Sequence, residues 1–240
     1  MSLKKYDSLP EFMKNPEVKG YYDILSERKG QLTLKRFFDL IGGTIGTIVL
    51  LPIMAVLAII IKLESKGPAL FKQVRVTQYG REFKILKFRT MVVNAEKLGT
   101  QVTSKNDPRV TKVGRFLRKY RLDELPQIIN ILKGDLSFVG TRPEVPKFVK
   151  EYTNDMIATL LLPAGVTSEA SIEFKDEEKI LDNSSNVDND YIYKVLPLKM
   201  KYNLNYIKYF TVLYDLKIML RTVGAVLGLG EKDESNTADS

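Results

Sequence analysis

The chain has 240 residues, with 37 Lys and Arg against 29 Asp and Glu, a net charge of +8, no cysteine and no histidine. These absences exclude a disulfide scaffold, a thiolate nucleophile, an iron–sulfur cluster, a Ser-His-Asp triad and any metal held by His or Cys. Chemistry must then come from carboxylates, amines, hydroxyls, backbone dipoles or a hard metal held by oxygen, and the basic surplus suits a phosphate-rich partner or an anionic membrane face.

Residues 1–34 are polar with scattered apolar positions, among them Leu9, Phe12, Tyr22 and Leu25. They read as an N-terminal arm, either a short amphipathic helix at an interface or a loose segment. Residues 41–61 form an apolar run of 21 without a charge. As a straight helix it would reach roughly 30 Å, enough to cross a bilayer core. It starts too far in, and lacks the cleavage pattern, to be a signal peptide. Pro52 lies near its middle, where it removes a helical hydrogen bond and divides the run. Arg28, Lys29, Lys35 and Arg36 precede the run, and Lys62, Lys66, Lys72, Arg75 and Arg81 follow it. The positive-inside rule pulls both ends to the cytoplasmic face. Two arrangements remain open on these grounds: a helix–break–helix that enters and leaves by one leaflet, or a single span with a tolerated proline.

After Gly67 and Pro68 the pattern changes to alternation. Residues 71–76 and 82–88, with Gln78, Tyr79 and Gly80 between them, predict a β-hairpin whose exposed face carries Lys72, Lys84, Lys87 and Arg89. Residues 94–112 are polar and loop-like. Helical spacing covers about 110–120, then a second helix over DELPQIINILKG, with Asp123 as N-cap, Pro126 in the first turn and Gly134 as C-cap. Loop signals return at Gly140 to Pro143. Residues 173–190 are acidic and rich in Asn and Ser, which predicts an exposed insertion. Helical patterns occupy about 195–210 and 212–228, the second apolar enough to lie on a membrane surface. Residues 231–240 carry a net charge of about −3 and read as a disordered acidic tail. No internal repeat is visible.

Residues 115–127, RFLRKYRLDELPQ, are the candidate site. Arg115, Arg118, Lys119 and Arg121 stand just ahead of the adjacent carboxylates Asp123 and Glu124. Carboxylates and phosphates are both favoured at a helix start, and arginines one or two turns upstream can bind phosphate oxygens bidentately. In a chain without His or Cys, one carboxylate can act as nucleophile and a second can hold Mg²⁺ against a diphosphate. Such a pair by itself is also an ordinary helix start, with one acid capping and the next in the first turn.

The surroundings carry a resemblance. KRFFDL (35–40), the apolar run with its proline, GPALFKQVR (67–75), KFRTM (87–91), GRFLRKYRLDELPQIINILKGDLSFVG (114–140), Arg142-Pro143 and YDLKIMLRTV (214–223) resemble the bacterial sugar transferases, the monotopic phosphoglycosyl transferases that load a sugar-1-phosphate onto a polyprenyl phosphate. The resemblance covers most of residues 35–228. It implies that the apolar run is re-entrant, broken at Pro52. It implies that Asp123 is the nucleophile that attacks a UDP-sugar and releases UMP, and that polyprenyl phosphate then takes the sugar phosphate in a ping-pong scheme. It implies Glu124 as the Mg²⁺ ligand, Arg118 as a phosphate-binding residue, and Arg142, in the position of the family's Pro-Arg-Pro element near the site, as a substrate-binding residue. Lys87, Arg89 and Thr90 are further substrate-binding candidates, with a basic hairpin face near anionic lipid as the alternative.

There are departures. The family's Pro-Arg-Pro reads Thr141-Arg142-Pro143, Leu51 replaces the serine often found before the membrane proline, and the segment from Pro163, PAGVTSEASIEFKDEE, keeps only the start of the family pattern. That region is expected to help choose the donor, so the sugar stays open. The chain looks like a small form without the extra N-terminal spans of larger members.

The expected fold is α+β and predominantly helical. It comprises an arm (1–34), a proline-broken re-entrant membrane helix (35–62), a cytoplasmic catalytic domain (63–230) with a small β-hairpin and amphipathic interface helices, and the tail (231–240). The expected location is the cytoplasmic face of a bacterial inner membrane, with membrane lipid, a UDP-sugar and undecaprenyl phosphate as partners and the oligomeric state open. A catalytically degraded membrane scaffold of a glycan-assembly complex is the alternative. Nucleic-acid binding has only the basic charge in its favour, with no recognition motif or aromatic stacking array.

Overall fold

Two short 3-10 turns and α1 (Pro16–Ser26) begin the computed structural model, which describes residues 3–95, 107–174 and 186–226. Asn15 caps α1, its side chain accepting from the Val18 N–H at 2.8 Å, and Pro16 fits the first helical position. Leu9, Met13, Val18 and Leu25 form one buried face against Leu161, Ile207 and Phe210. The arm is therefore part of the main core and not a loose segment. With Tyr22, these buried positions recur every three to five residues, and only the fold supplies their partner face.

A single long helix, α2 (Lys29–Glu64), follows. It is long and apolar enough to cross a membrane. The helix continues through Pro52, where the sequence pattern suggested two halves. One stripe of α2, through Leu32, Lys35, Asp39, Gly43, Met54 and Ile61, is buried against the globular part. A Cβ on Gly43 or Gly46 would meet Leu132 at 2.9 Å or Ile128 at 2.6 Å. The outer face, including Phe37, Ile45, Ile48, Leu51 and Leu63, is exposed.

Both ends of α2 are fastened to the same domain. Near the start, Lys35 is buried. It pairs with Asp215 at 2.5 Å and donates to the Val139 carbonyl at 2.8 Å. Near the end, Glu64 accepts from the Val113 N–H at 2.9 Å. Lys35, expected as a flanking charge for lipid, is instead an internal tie.

Strands β1 (Leu70–Val76) and β2 (Glu82–Phe88) form the expected antiparallel hairpin, in register from Leu70↔Phe88 to Val76↔Glu82. Directly opposed residues share a face. Lys72, opposite Leu86, and Lys84, opposite Val74, therefore lie on one face, and Lys87, opposite Phe71, on the other. The expected single basic face does not form. Positions 84 and 87 are three apart, and a period of two separates them.

Helix α3 (Lys112–Lys119) is capped by Thr111. A 3-10 turn (Leu122–Glu124) leads to α4 (Gln127–Lys133), closed by Gly134 at φ 82°. Asp123 lies inside the 3-10 turn, and Pro126 holds the cap position of α4 without a side-chain bond. Asp123 is thus not the helix cap that the sequence suggested.

Strand β3 (Leu136–Val139) pairs in parallel with β4 (Ala164–Thr167), a two-stranded sheet that the sequence reading missed. Between them lie α5 (Pro146–Val149) and a 3-10 stretch (Met156–Leu161). After α6 (Glu169–Glu173), the segment Val187–Asp190 passes through a π-helical turn (Tyr191–Val195) into α7 (Leu196–Tyr209), and α8 (Val212–Val226) follows. The last two match the expected helices. Leu213, Leu216, Leu220 and Val223 leave an exposed apolar stripe on α8. Most of the polar loop (94–112), most of the acidic insertion (173–190) and the whole tail (231–240) lie outside the described residues.

Candidate active site

A local apolar cluster sets the floor of the site. Met54 and Ile61 of α2, Phe88 of β2, Leu117 of α3 and Ile128 of α4 are buried together. Their packing brings the hairpin end, α3 and the 3-10 turn to one place.

Gly114 lets α3 rest directly on the backbone at Thr90: an added Cβ would stand 2.0 Å from the Thr90 carbonyl oxygen. One turn later, Arg118 Nε donates to Thr90 Oγ1 at 3.0 Å. Arg121 then adopts a left-handed conformation, φ 56°, which turns the chain from α3 into the acid pair. Such a conformation in a non-glycine residue costs on the order of 1 kcal/mol.

The two carboxylates have different environments. Glu124 Oε1 accepts from Lys87 Nζ at 2.9 Å and from Arg142 Nη2 at 2.8 Å. Burial pushes its carboxyl up, but Arg142 and Lys87 outweigh that and hold it well below the ordinary range. Glu124 is therefore a firmly ionised anion. Asp123 is 8% exposed and accepts no hydrogen bond from any described residue. Burial raises its carboxyl above the ordinary value, Lys87 opposes the rise and Glu124 adds to it. A carboxylate without hydrogen bonds and with raised basicity is suited to nucleophilic attack. Burial also lowers the Lys87 ammonium, against the pull of Glu124.

Arg142 is positioned from both sides. The Gly165 N–H donates to the Thr141 carbonyl at 2.9 Å, and Arg75 Nη1 to the Pro143 carbonyl at 2.9 Å. Beyond it, buried Glu144 accepts from Tyr191 and lies 3.9 Å from both Arg75 and Lys199.

Asp123, Glu124, Lys87 and Arg142 thus converge, with the Thr90–Arg118 pair adjoining. Arg89 does not join them. It is 6% exposed, and its Nη2 donates to the Ser65 carbonyl at 2.7 Å and to Ser65 Oγ at 2.9 Å, while Nη1 reaches the Lys66 carbonyl at 3.1 Å. It caps the C-terminal end of α2, where unsatisfied carbonyls attract a cation. Pro52 lies within α2 and not at this site.

A cleft of about 670 Å³ opens beside Glu124 and Arg142. Lys119 and Arg121 add positive charge to its wall, and Leu50, Ile128 and Phe138 give it an apolar side that reaches α2. Ile172 and Phe174, from the divergent segment after Pro163, and Thr222 of α8 close the far side. Asp123 is set back from this wall. Gln127 also lines the cleft; it ends the 115–127 stretch, but it carries no charge and the sequence reading gave it no role.

Residues 30–228 match the family described as "Bacterial sugar transferase". The chain is similar to "UDP-N-acetylgalactosamine-undecaprenyl-phosphate N-acetylgalactosaminephosphotransferase" of Aeromonas hydrophila, 35% identical across 83% of this chain and 45% of that protein. It is similar to "UDP-glucose:undecaprenyl-phosphate glucose-1-phosphate transferase" of Escherichia coli (strain K12), 37% identical across 79% of this chain and 39% of that protein. A protein of the same name from Caulobacter vibrioides (strain ATCC 19089 / CIP 103742 / CB 15) is 34% identical across 80% of this chain and 69% of its own length. The chain spans less than half of the first two relatives. The family match over residues 30–228, which includes the convergent carboxylates and cations, establishes that this chain belongs to the bacterial sugar transferase family.

Proposed function

We propose that the protein transfers a sugar-1-phosphate from a UDP-sugar to undecaprenyl phosphate and releases UMP. The observation that carries this reading is the division of labour in the acid pair. Glu124 is locked as an anion by Lys87 and Arg142, while Asp123, beside it, is buried and accepts no hydrogen bond from any described residue. The relatives' names support the donor and acceptor classes.

In this reading an Asp123 carboxylate oxygen attacks the sugar-side phosphorus of the diphosphate. A new Asp123 O–P bond forms as the bond from that phosphorus to the bridging oxygen breaks, and UMP departs with the oxygen. An oxygen of undecaprenyl phosphate next attacks the same phosphorus and expels the Asp123 carboxylate. Arg142, Arg118, Lys119 and Arg121 supply positive charge for the phosphates, and Lys87 fixes Glu124.

The donor set fits a Mg²⁺ ion completed by substrate. No group of three or more Asp, Glu, His or Cys side chains is close enough to form a cage among the described residues. Mg²⁺ usually takes one or two carboxylates together with substrate phosphates. Glu124 would hold it, and when bound it would neutralise diphosphate charge.

The membrane arrangement belongs to the same proposal: α2 is re-entrant and the domain sits on the cytoplasmic face. A spanning helix needs about 20 residues clear of the globular domain. Here the contacts recur along α2 from Leu32 through Gly43 and Met54 to Ile61, and both ends are tied to one domain.

The test mixes the membrane-embedded protein, Mg²⁺ and undecaprenyl phosphate with UDP-N-acetylgalactosamine, UDP-glucose or UDP-galactose in turn, and measures UMP. Release with one donor is expected. Folded protein that releases UMP with none of them, nor with other UDP-sugars, rejects the activity.

A further inference from the structure

Gln127 is 2% exposed, and its Nε2 has no hydrogen-bond partner among the described residues. No described residue bonds its Oε1 either. Buried amides are normally paired. The neighbouring wall residues Ile128, Ile131 and Phe138 are apolar. A methionine would fill the same volume without stranding a donor, so a glutamine here brings the free protein no internal hydrogen bond.

Its placement supplies a reason. The backbone is right-handed and helical from the 3-10 turn through Leu125 (φ −52°, ψ −38°) and Pro126 (φ −63°, ψ −14°) into α4. Its hydrogen bonds are of the 3-10 kind, Leu125 N–H to the Leu122 carbonyl and Ile128 N–H to the Leu125 carbonyl, and residues three apart on such a backbone share a face. Glu124 and Gln127 are three apart, which sets Gln127 beside the acid pair, and neither the Asp123 carboxylate nor the Gln127 amide has a hydrogen bond from any described residue. Gln127 also lines the cleft that contains Glu124 and Arg142.

We propose that Gln127 is a phosphoryl-binding residue, whose carboxamide N–H donates to a non-bridging oxygen of the phosphoryl group while Asp123 carries it. A neutral donor serves this position well. It stabilises charge on the phosphoryl oxygens without competing with Lys87 and Arg142 for Glu124. The inference rests on the covalent reading above. Because the same phosphoryl group is present in both half-reactions, Gln127 acts in both.

The experiment compares wild type, Gln127→Met and Gln127→Glu in membranes. It requires wild-type UMP release first, so failure of the activity and failure of this inference are distinguishable. UMP formation without acceptor and transfer to undecaprenyl phosphate are measured separately, with thermal unfolding alongside. Gln127→Met is expected to slow both half-reactions by about tenfold or more with an unchanged or raised melting temperature. Gln127→Glu is expected to be slower still, since it places a negative charge against the phosphoryl oxygens. Three results overturn the inference: Gln127→Met turnover within about twofold of wild type, a loss confined to donor KM, or activity lost only in parallel with stability. If Gln127→Met does not fold, Gln127→Glu decides alone: folded and near wild-type in rate, it too overturns the inference.

Discussion

Arg142 Nη2 meets Glu124 Oε1 at 2.8 Å, across 18 positions of sequence, and Lys87 reaches the same oxygen from β2 at 2.9 Å. One carboxylate oxygen thus joins the hairpin, the acid turn and the loop after β3. Neither Lys87 nor Arg142 lies on the element that carries Glu124, so the ionised state of Glu124 is a property of the assembled fold.

Glu124→Gln leaves Lys87 and Arg142 facing each other without an anion. Breaking a buried charge cluster in this way should destabilise the protein by about 3 kcal/mol at neutral pH. Because the folded carboxyl is held well below its ordinary value of 4.5, its stabilising contribution is complete above that value and is lost as pH falls through the folded value. Urea unfolding of both proteins should therefore show a gap at pH 7 that narrows in acid.

Asp123→Asn should lower turnover by roughly a thousandfold or more, as expected for loss of a nucleophile. The same change should stabilise the fold. Burial, only partly offset by Lys87, raises the Asp123 carboxyl, so its charged form opposes folding at neutral pH. A gain of about 1 kcal/mol is expected, read as a melting temperature a few degrees higher. Near wild-type turnover would contradict nucleophilic catalysis by Asp123.

Arg89→Ala removes the cap from the end of α2 while leaving the carboxylates untouched. The predicted signature is a loss of about 2 kcal/mol in stability with donor KM within about twofold of wild type. Lys87→Ala should do the reverse in kinetics, cutting turnover sharply. If Arg89→Ala instead raises donor KM strongly, Arg89 contacts substrate.

The absence of cysteine makes the topology of α2 directly testable. Glu27→Cys and Lys66→Cys, exposed on either side of the helix, each introduce a single thiol. Both should react with a membrane-impermeant maleimide in inverted vesicles and neither in intact cells. Labelling from opposite sides would show a span.

Local features were legible from the residues alone. The apolar run, the hairpin, α3, α7 and α8 follow from hydrophobic period and turn chemistry, and the Asp123–Glu124 pair stands out because no His or Cys competes for the chemistry. The β3–β4 pair was not legible: each strand is four residues long, and the segment from Gly140 to Pro163 separates them. The single basic hairpin face was misread, although the parity of positions 84 and 87 already argued against it. Arg89 looked like a substrate residue because its charge is visible in sequence and its partners, the carbonyls at the end of α2, are not.

What the sequence determined by itself was the list of available chemistry and the elements that carry it, since composition and short-range period are properties of neighbouring residues. What only the tertiary structure decided was which charges meet. It set Lys87 and Arg142 on Glu124, left Asp123 and Gln127 without a hydrogen bond from any described residue, and sent Lys35 and Arg89 to hold the two ends of α2. The physical reason is that a charge's partner and its burial depend on contacts between segments far apart in the chain, and those contacts exist only once the apolar faces have packed.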